Sequence, residues 1–127
     1  MPNYVVQRVQ DLLNEHQKSL KGSKVLLLGV SYKADIADQR HSPAIPVGNG
    51  LADKGACISY HDANVPTWAF NGEEYKSVDN LEQAVAEADI VILLQPHREY
   101  DVSEIASKAQ LFFDTRGVAS TEEAYVL

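Results

Sequence analysis

Residues 24 to 29, Lys-Val-Leu-Leu-Leu-Gly, constrain the fold more than any other stretch of this chain. A short, unbroken apolar run without alternation marks a strand buried on both faces, and such strands belong to parallel sheets covered by helices. The run ends in Gly29. A polar loop from Val30 to Ser42 follows, carrying Lys33, Arg40, Asp35 and Asp38. Ser42 is a good helix N-cap and Pro43 suits a first helical turn. Strand, loop and helix start are the layout of a first βα unit. In open α/β sheets ligands bind in the crevice outside the carboxyl ends of the strands, so this loop sits where function would sit.

The remaining sequence extends the same pattern. Val5, Val6, Val9, Leu12, Leu13 and His16 fall near a 3.6-residue stripe and predict a helix over residues 2–20, closed by Lys21-Gly22-Ser23. A second helix is expected from about 43 to 54, ending at Lys54-Gly55, although each of Gly48 and Gly50 costs it roughly 1 kcal/mol. Ala56 to Tyr60 reads as a second strand. Residues 64–78 read as mostly irregular, with Pro66, Trp68, a turn at Asn71-Gly72 and a short edge strand near Tyr75. Asp79 or Asn80 caps a helix to about Ala88, Ile90 to Leu94 is a strand, 101–108 a short helix, Gln110 to Phe113 a strand, and Ser120 to Leu127 a tail. This alternation predicts a Rossmann-like open parallel sheet of about four to five strands with helices on both faces. Residues 1–22 then form a linker helix ahead of a domain over 23–127. The apolar stripe of that helix reads as core, while its position ahead of the fold makes contact with a second domain or subunit a fair expectation.

Composition removes several alternatives. With 127 residues the chain is one domain by size. Its net charge of −7 argues against a nucleic-acid binder, which would show a basic face. No apolar run reaches the roughly 18 residues of a membrane span, and no signal-peptide pattern is visible. A single cysteine, Cys57, cannot form an internal disulfide, so a reducing cytoplasm is the simplest setting.

All four expected strands finish in polar residues: the Tyr32–Arg40 loop, His61-Asp62, His97, and Asp114-Thr115-Arg116. In a parallel sheet these ends lie along one edge. Taken singly, Lys33, Arg40 and Arg116 are solvated surface charges. As a set at one edge of an acidic protein they suit an anionic ligand, with arginine favoured for bidentate phosphate contact. The G-x-G-x-x-G fingerprint of a dinucleotide site is missing, since only Gly29 stands in the first turn and about 13 residues separate strand from helix. This copy of the fold is therefore not expected to hold a whole NAD. Without those glycines Asp62 reads as a turn former rather than a ribose-binding acid. Cys57 reads as a buried small hydrophobe rather than a nucleophile, His61 and His97 as loop histidines bonded to backbone rather than an acid–base or metal pair, and Trp68, Phe70 and Tyr75 as a packing lid. Asp35 and Asp38 read as partners of Lys33 and Arg40. No metal site is expected, because no H-x-x-x-H or C-x-x-C spacing occurs.

The motifs at the strand ends resemble the carboxyl-terminal domain of the UDP-glucose/GDP-mannose dehydrogenase family. Leu28-Gly29-Val30-Ser31-Tyr32-Lys33 is similar to the family's "LGvaYK", and Asp38-Gln39-Arg40-His41-Ser42-Pro43-Ala44 to its "DxRESPa". Ser59-Tyr60-His61-Asp62-Ala63-Asn64-Val65-Pro66 resembles "xYHDPxVP", and Leu111-Phe112-Phe113-Asp114-Thr115-Arg116 resembles "lvvDtR". The flavour is nearest to bacterial UDP-N-acetylmannosamine and UDP-N-acetylglucosamine 6-dehydrogenases. The resemblance implies an NAD-dependent oxidation of the sugar 6-hydroxyl of a nucleotide sugar to a carboxylate. It also implies an NAD-binding domain and a helical central region upstream, which would bring the catalytic cysteine, and homo-oligomers in the full enzyme. Tyr32 and Lys33 would then approach the UDP-sugar, Arg116 its diphosphate or sugar region, and Arg40 the NAD held by the first domain. His41 departs from the usual Glu and Ala63 from a common Pro. Two other readings stay open: a stand-alone nucleotide-binding or regulatory module without catalysis, and an interaction domain that assembles through the first helix.

Overall fold

The computed structural model describes residues 2–30, 44–63, 65–70, 73–94, 100–115 and 124–126. The central strand is β1 (Lys24–Leu28), as the apolar run demands. It pairs in parallel with β2 (Cys57–His61) on one side and with β5 (Ile90–Leu93) on the other. Beyond β5 lie β6 (Phe112–Asp114) and β7 (Ala124–Val126), also parallel, giving the order β2-β1-β5-β6-β7. A separate antiparallel hairpin, β3 (Thr67–Phe70) with β4 (Glu73–Lys76), is inserted after β2. Successive crossovers run in opposite directions from β1, so the topological switch point falls between β1 and β5.

Alternation along the central strands divides the core. Val25, Leu27, Ile90, Ile92 and Phe113 face one side and pack with α1 (Pro2–Glu15), α2 (Ala44–Asp53) and the hairpin residue Trp68. Leu26, Leu28, Val91, Leu93 and Phe112 face the other, against α3 (Leu81–Glu87) and α4 (Val102–Lys108). Helices thus cover both faces, as expected. The α1 stripe is core: Val9, Leu12 and Leu13 are fully buried. At Gly50 a side chain would crowd α1, because a Cβ there would lie 2.8 Å from Val6 Cγ2. Close approach of α1 and α2 offsets the lost propensity.

Three boundaries differ from the sequence reading. α1 stops at Glu15 instead of continuing to residue 20. Gln17 adopts φ 61°, the Lys18 amide donates to Leu13 O and the Gln17 amide to Asn14 O, which is a Schellman closure with Gln in place of the usual Gly. The segment read as irregular holds a full hairpin, because Trp68 opposite Tyr75 gives both strands an aromatic pair on the same ladder. The expected tail carries β7, which extends the sheet by pairing with Phe112–Asp114. Of the two expected caps of α3, Asn80 is the one, accepting from the Gln83 amide at 3.0 Å; Asp101, read as the first residue of a helix, is instead the N-cap of α4 and accepts from the Glu104 amide at 3.1 Å.

Candidate functional site at the carboxyl edge of the sheet

The described residues at the carboxyl edge form a continuous set of hydrogen bonds around the end of β1. Gly29 leaves the strand at φ 77°, a conformation that side chains with a Cβ rarely adopt, and its amide donates to His61 O at 3.0 Å. The Leu94 amide donates to Leu28 O at 2.9 Å from the β5 side. The next amide, Val30, donates to Asp62 Oδ2 at 2.9 Å, and both residues are completely buried. Asp62 therefore turns inward toward backbone rather than outward toward a ligand ribose. The turn-former reading gives its location but misses its role as a buried acceptor.

The turn that presents Asp62 is itself braced. Its amide donates to Ser77 Oγ at 3.0 Å, its carbonyl accepts from the Val65 amide at 3.0 Å, and the Tyr60 hydroxyl donates to Val65 O at 2.7 Å. Burial first, and then the neighbouring Asp62 charge, push the Tyr60 phenol up to about 12, so it stays a donor throughout the physiological range. Trp68 packs edge-on against Tyr60 with ring centroids 5.5 Å apart, which places it in the core beneath this turn.

His61 and Tyr100 close the outer side. The Tyr100 hydroxyl lies 2.7 Å from His61 O and 3.0 Å from His61 Nδ1. A phenol has one hydrogen, and the shorter contact to the carbonyl takes it. The Nδ1–H of His61 then donates back to the phenol oxygen, leaving Nε2 as the ring's acceptor when the imidazole is neutral. At β6, Asp114 is fully buried, and Thr115 donates to Leu93 O through both its amide, at 3.2 Å, and its hydroxyl, at 2.6 Å. The start of the segment that leads to Arg116 is thereby tied to the end of β5.

The expected ligand residues Tyr32, Lys33, Arg40 and Arg116 lie outside the described residues, as do Asp35, Asp38, His41 and His97. Their described neighbours, Val30 and Thr115, are both hydrogen-bonded at the carboxyl edge. Cys57 is exposed, which corrects its reading as a buried hydrophobe: it is the first residue of an edge strand, at the opposite end of β2 from the crevice. Among the described residues no group of three or more His, Cys, Asp or Glu could hold a metal ion. No helix of the described chain is long and apolar enough to cross a membrane. Sequence reasoning missed Tyr100 and the burial of Asp62 and Asp114. The available signal was an aspartate within two residues of a buried aromatic at two strand ends, Tyr60-His61-Asp62 and Phe113-Asp114.

An open parallel sheet in the order second, first, third, fourth, fifth strand, with its hydrogen-bonded polar groups at the carboxyl edge of the switch point, defines a Rossmann-like ligand-binding domain. Residues 26–121 match the family model described as "UDP-glucose/GDP-mannose dehydrogenase family, UDP binding domain", and the chain belongs to that family. It is 30% identical over 130 residues to a UDP-N-acetyl-D-mannosamine dehydrogenase of Methanocaldococcus jannaschii, covering 96% of this chain and 28% of the relative. Among solved structures, the NDP-N-acetyl-D-galactosaminuronic acid dehydrogenase of Methanosarcina mazei Go1 superposes with TM-score 0.79 at 27% identity, over 99% of this chain and 28% of that one. A UDP-N-acetyl-mannosamine dehydrogenase from S. aureus gives TM-score 0.73 at 26% identity, over 98% and 29%. The chain thus spans less than a third of the length of these relatives.

Proposed function

We propose that this chain is the nucleotide-sugar-binding part of an NAD-dependent UDP-sugar 6-dehydrogenase. The observation that carries the reading is the match of residues 26–121 to the family's UDP-binding domain. Supporting it, β2 and β6 end in the polar residues Asp62 and Asp114-Thr115, and Asp62 and Thr115 are hydrogen-bonded to the ends of β1 and β5 at one sheet edge. In this reading Tyr32, Lys33 and Arg116 hold the UDP-sugar, the two cations meeting its diphosphate, and residues 23–127 form the binding domain with residues 1–22 as the linker helix that joins it to upstream domains. The working enzyme is a cytoplasmic homo-oligomer.

The described residues do not fit a whole NAD. Gly29 stands without the two further glycines, α2 begins at Ala44, fifteen positions later, and Asp62 is engaged with the Val30 amide. NAD therefore belongs to an upstream domain, with Arg40 reaching it across the cleft. The share of the reaction left to this chain is orientation. It fixes the diphosphate so that the sugar 6-position is held at the reacting centre, and immobilisation of this kind can account for several kcal/mol of barrier.

Backbone-amide NMR of this chain, titrated separately with UDP and with NAD, tests the reading. Saturable shifts in residues 30–42 and 114–117 with UDP, and little response to NAD, are expected. Charge reversal of Lys33 and Arg116 together should abolish the UDP response. A UDP response that survives this change, or one centred away from the carboxyl edge, overturns the assignment of these residues.

A further inference from the structure

We propose that Asp62 is a positioning residue for the ligand loop: its buried carboxylate fixes the Val30 amide and so sets the direction in which the segment bearing Tyr32 and Lys33 leaves β1. The proposal rests on the UDP-binding reading above and deepens it.

The placement of a carboxylate here has a cost. A charged group with no solvent exposure loses its hydration, and a strand end could be closed without one. What the carboxylate supplies is a charge-assisted hydrogen bond, shorter and about twice as strong as a neutral one, to the first amide beyond the glycine hinge. Gly29 at φ 77° gives the backbone a freedom that other residues lack, so the residue after it needs an external anchor to take one direction. The ladder bonds on both sides of β1 end just before that point, at the Gly29 amide and at Leu28 O. The Val30–Asp62 bond is the next described bond along the chain.

The anchor is also rigid. Ser77 Oγ, the Val65 amide and the Tyr60–Val65 bond hold the Asp62 turn from three sides, and the His61 carbonyl and ring are held by Tyr100. A loop whose exit is fixed before the ligand arrives loses less conformational entropy on binding. Asp62 thus acts on the ligand through the Val30 amide and not by touching it.

The test compares UDP affinity and Val30 amide hydrogen exchange in the wild-type chain, Asp62→Ala, Asp62→Asn and, as a control in the α3 core on the far face, Val85→Ala. Asp62→Ala should weaken UDP about tenfold, as loss of a hydrogen bond to a charged group implies, and should speed Val30 exchange. Asp62→Asn retains an acceptor and should fall between Ala and wild type in both readouts. Val85→Ala should lower thermal stability and leave UDP affinity unchanged, which separates positioning from general loosening. Should Asp62→Ala fail to fold, Asp62→Asn decides: faster Val30 exchange with undiminished UDP affinity overturns the proposal. Wild-type binding with equal affinity in all variants overturns it while the UDP reading stands. Absence of saturable UDP shifts in the wild-type chain removes both.

Discussion

β1 is gripped at each end by an aspartate that accepts a backbone N–H, and the two grips differ in what surrounds them. At the amino end, Asp89 Oδ2 accepts from the Lys24 amide at 2.8 Å while Oδ1 meets Lys18 Nζ at 3.1 Å, with the Asp89 side chain 28% exposed. At the carboxyl end, Asp62 accepts from the Val30 amide at 2.9 Å and is 0% exposed. The same bond is made once in partial contact with water and once without it. The amino-end pair has a lysine and solvent to share its charge, so it tacks the strand in register at small cost. The carboxyl-end pair is costly to desolvate and sits beside the segment that carries the proposed ligand residues. Position in the fold, and not residue type, separates a structural tack from a functional anchor.

The sharpest way to break this comparison is to remove each grip in turn. Asp62→Ala leaves the Val30 amide buried without its acceptor and should lower unfolding stability by about 3 kcal/mol, read from urea denaturation. Asp89→Ala exposes the Lys24 amide to water and should cost about 1 kcal/mol by the same measurement. Equal losses would show that burial does not distinguish the two ends.

The pH dependence sharpens the amino-end half. The Lys24 amide first, and Lys18 second, hold the Asp89 carboxyl below the usual carboxylate range against the opposing effect of partial burial. A depressed folded-state pKa gives stability that is present above the unfolded value and lost as pH falls through the folded one. The gap between wild type and Asp89→Asn should therefore be widest near neutral pH and close as the solution is acidified below the usual carboxylate range. A gap that widens on acidification would reverse the assigned cause. The smallest effect belongs to Lys108, which bridges Glu82 and Glu104 across α3 and α4 at the exposed surface. Lys108→Met should leave the urea midpoint unchanged within error, since exposed ion pairs are screened.

What could be read from the sequence follows the same division. The amino-end and interior features are local. The run at 24–29 gives β1, Lys54-Gly55 gives the closure of α2, and Asp79-Asn80 narrows the cap of α3 to two residues, because each signal lies within a few residues of its effect. The hairpin was half visible: a turn at Asn71-Gly72 and a strand near Tyr75 were expected, but Pro66 and the mixed sequence around Trp68 hid β3. β7 is three residues long and exists by pairing with β6, a partner that a short terminal stretch does not announce. At the site, the sequence supplies the types and order of Tyr32, Lys33, Arg40 and Arg116, which lie outside the described residues. It does not supply the inward turn of Asp62, which depends on Val30 arriving from 32 positions away. Nor does it supply the Tyr100–His61 pair, which joins residues 39 positions apart.

The position of β1 between β2 and β5 also sets a timetable for the chain as it is made. β1 can pair with β2 soon after both are made, but its other edge waits for β5. At the usual 5–20 residues per second, the roughly sixty residues between β1 and β5 take about 3–12 s to synthesise. Until then the central strand has one open edge, and α4, which helps cover one face, is still to be made. Truncation between β2 and β5, or a pause in translation there, should yield a species that associates through this edge. The central strand that leads into the proposed ligand residues is thus also a strand that needs protection while the chain is being made.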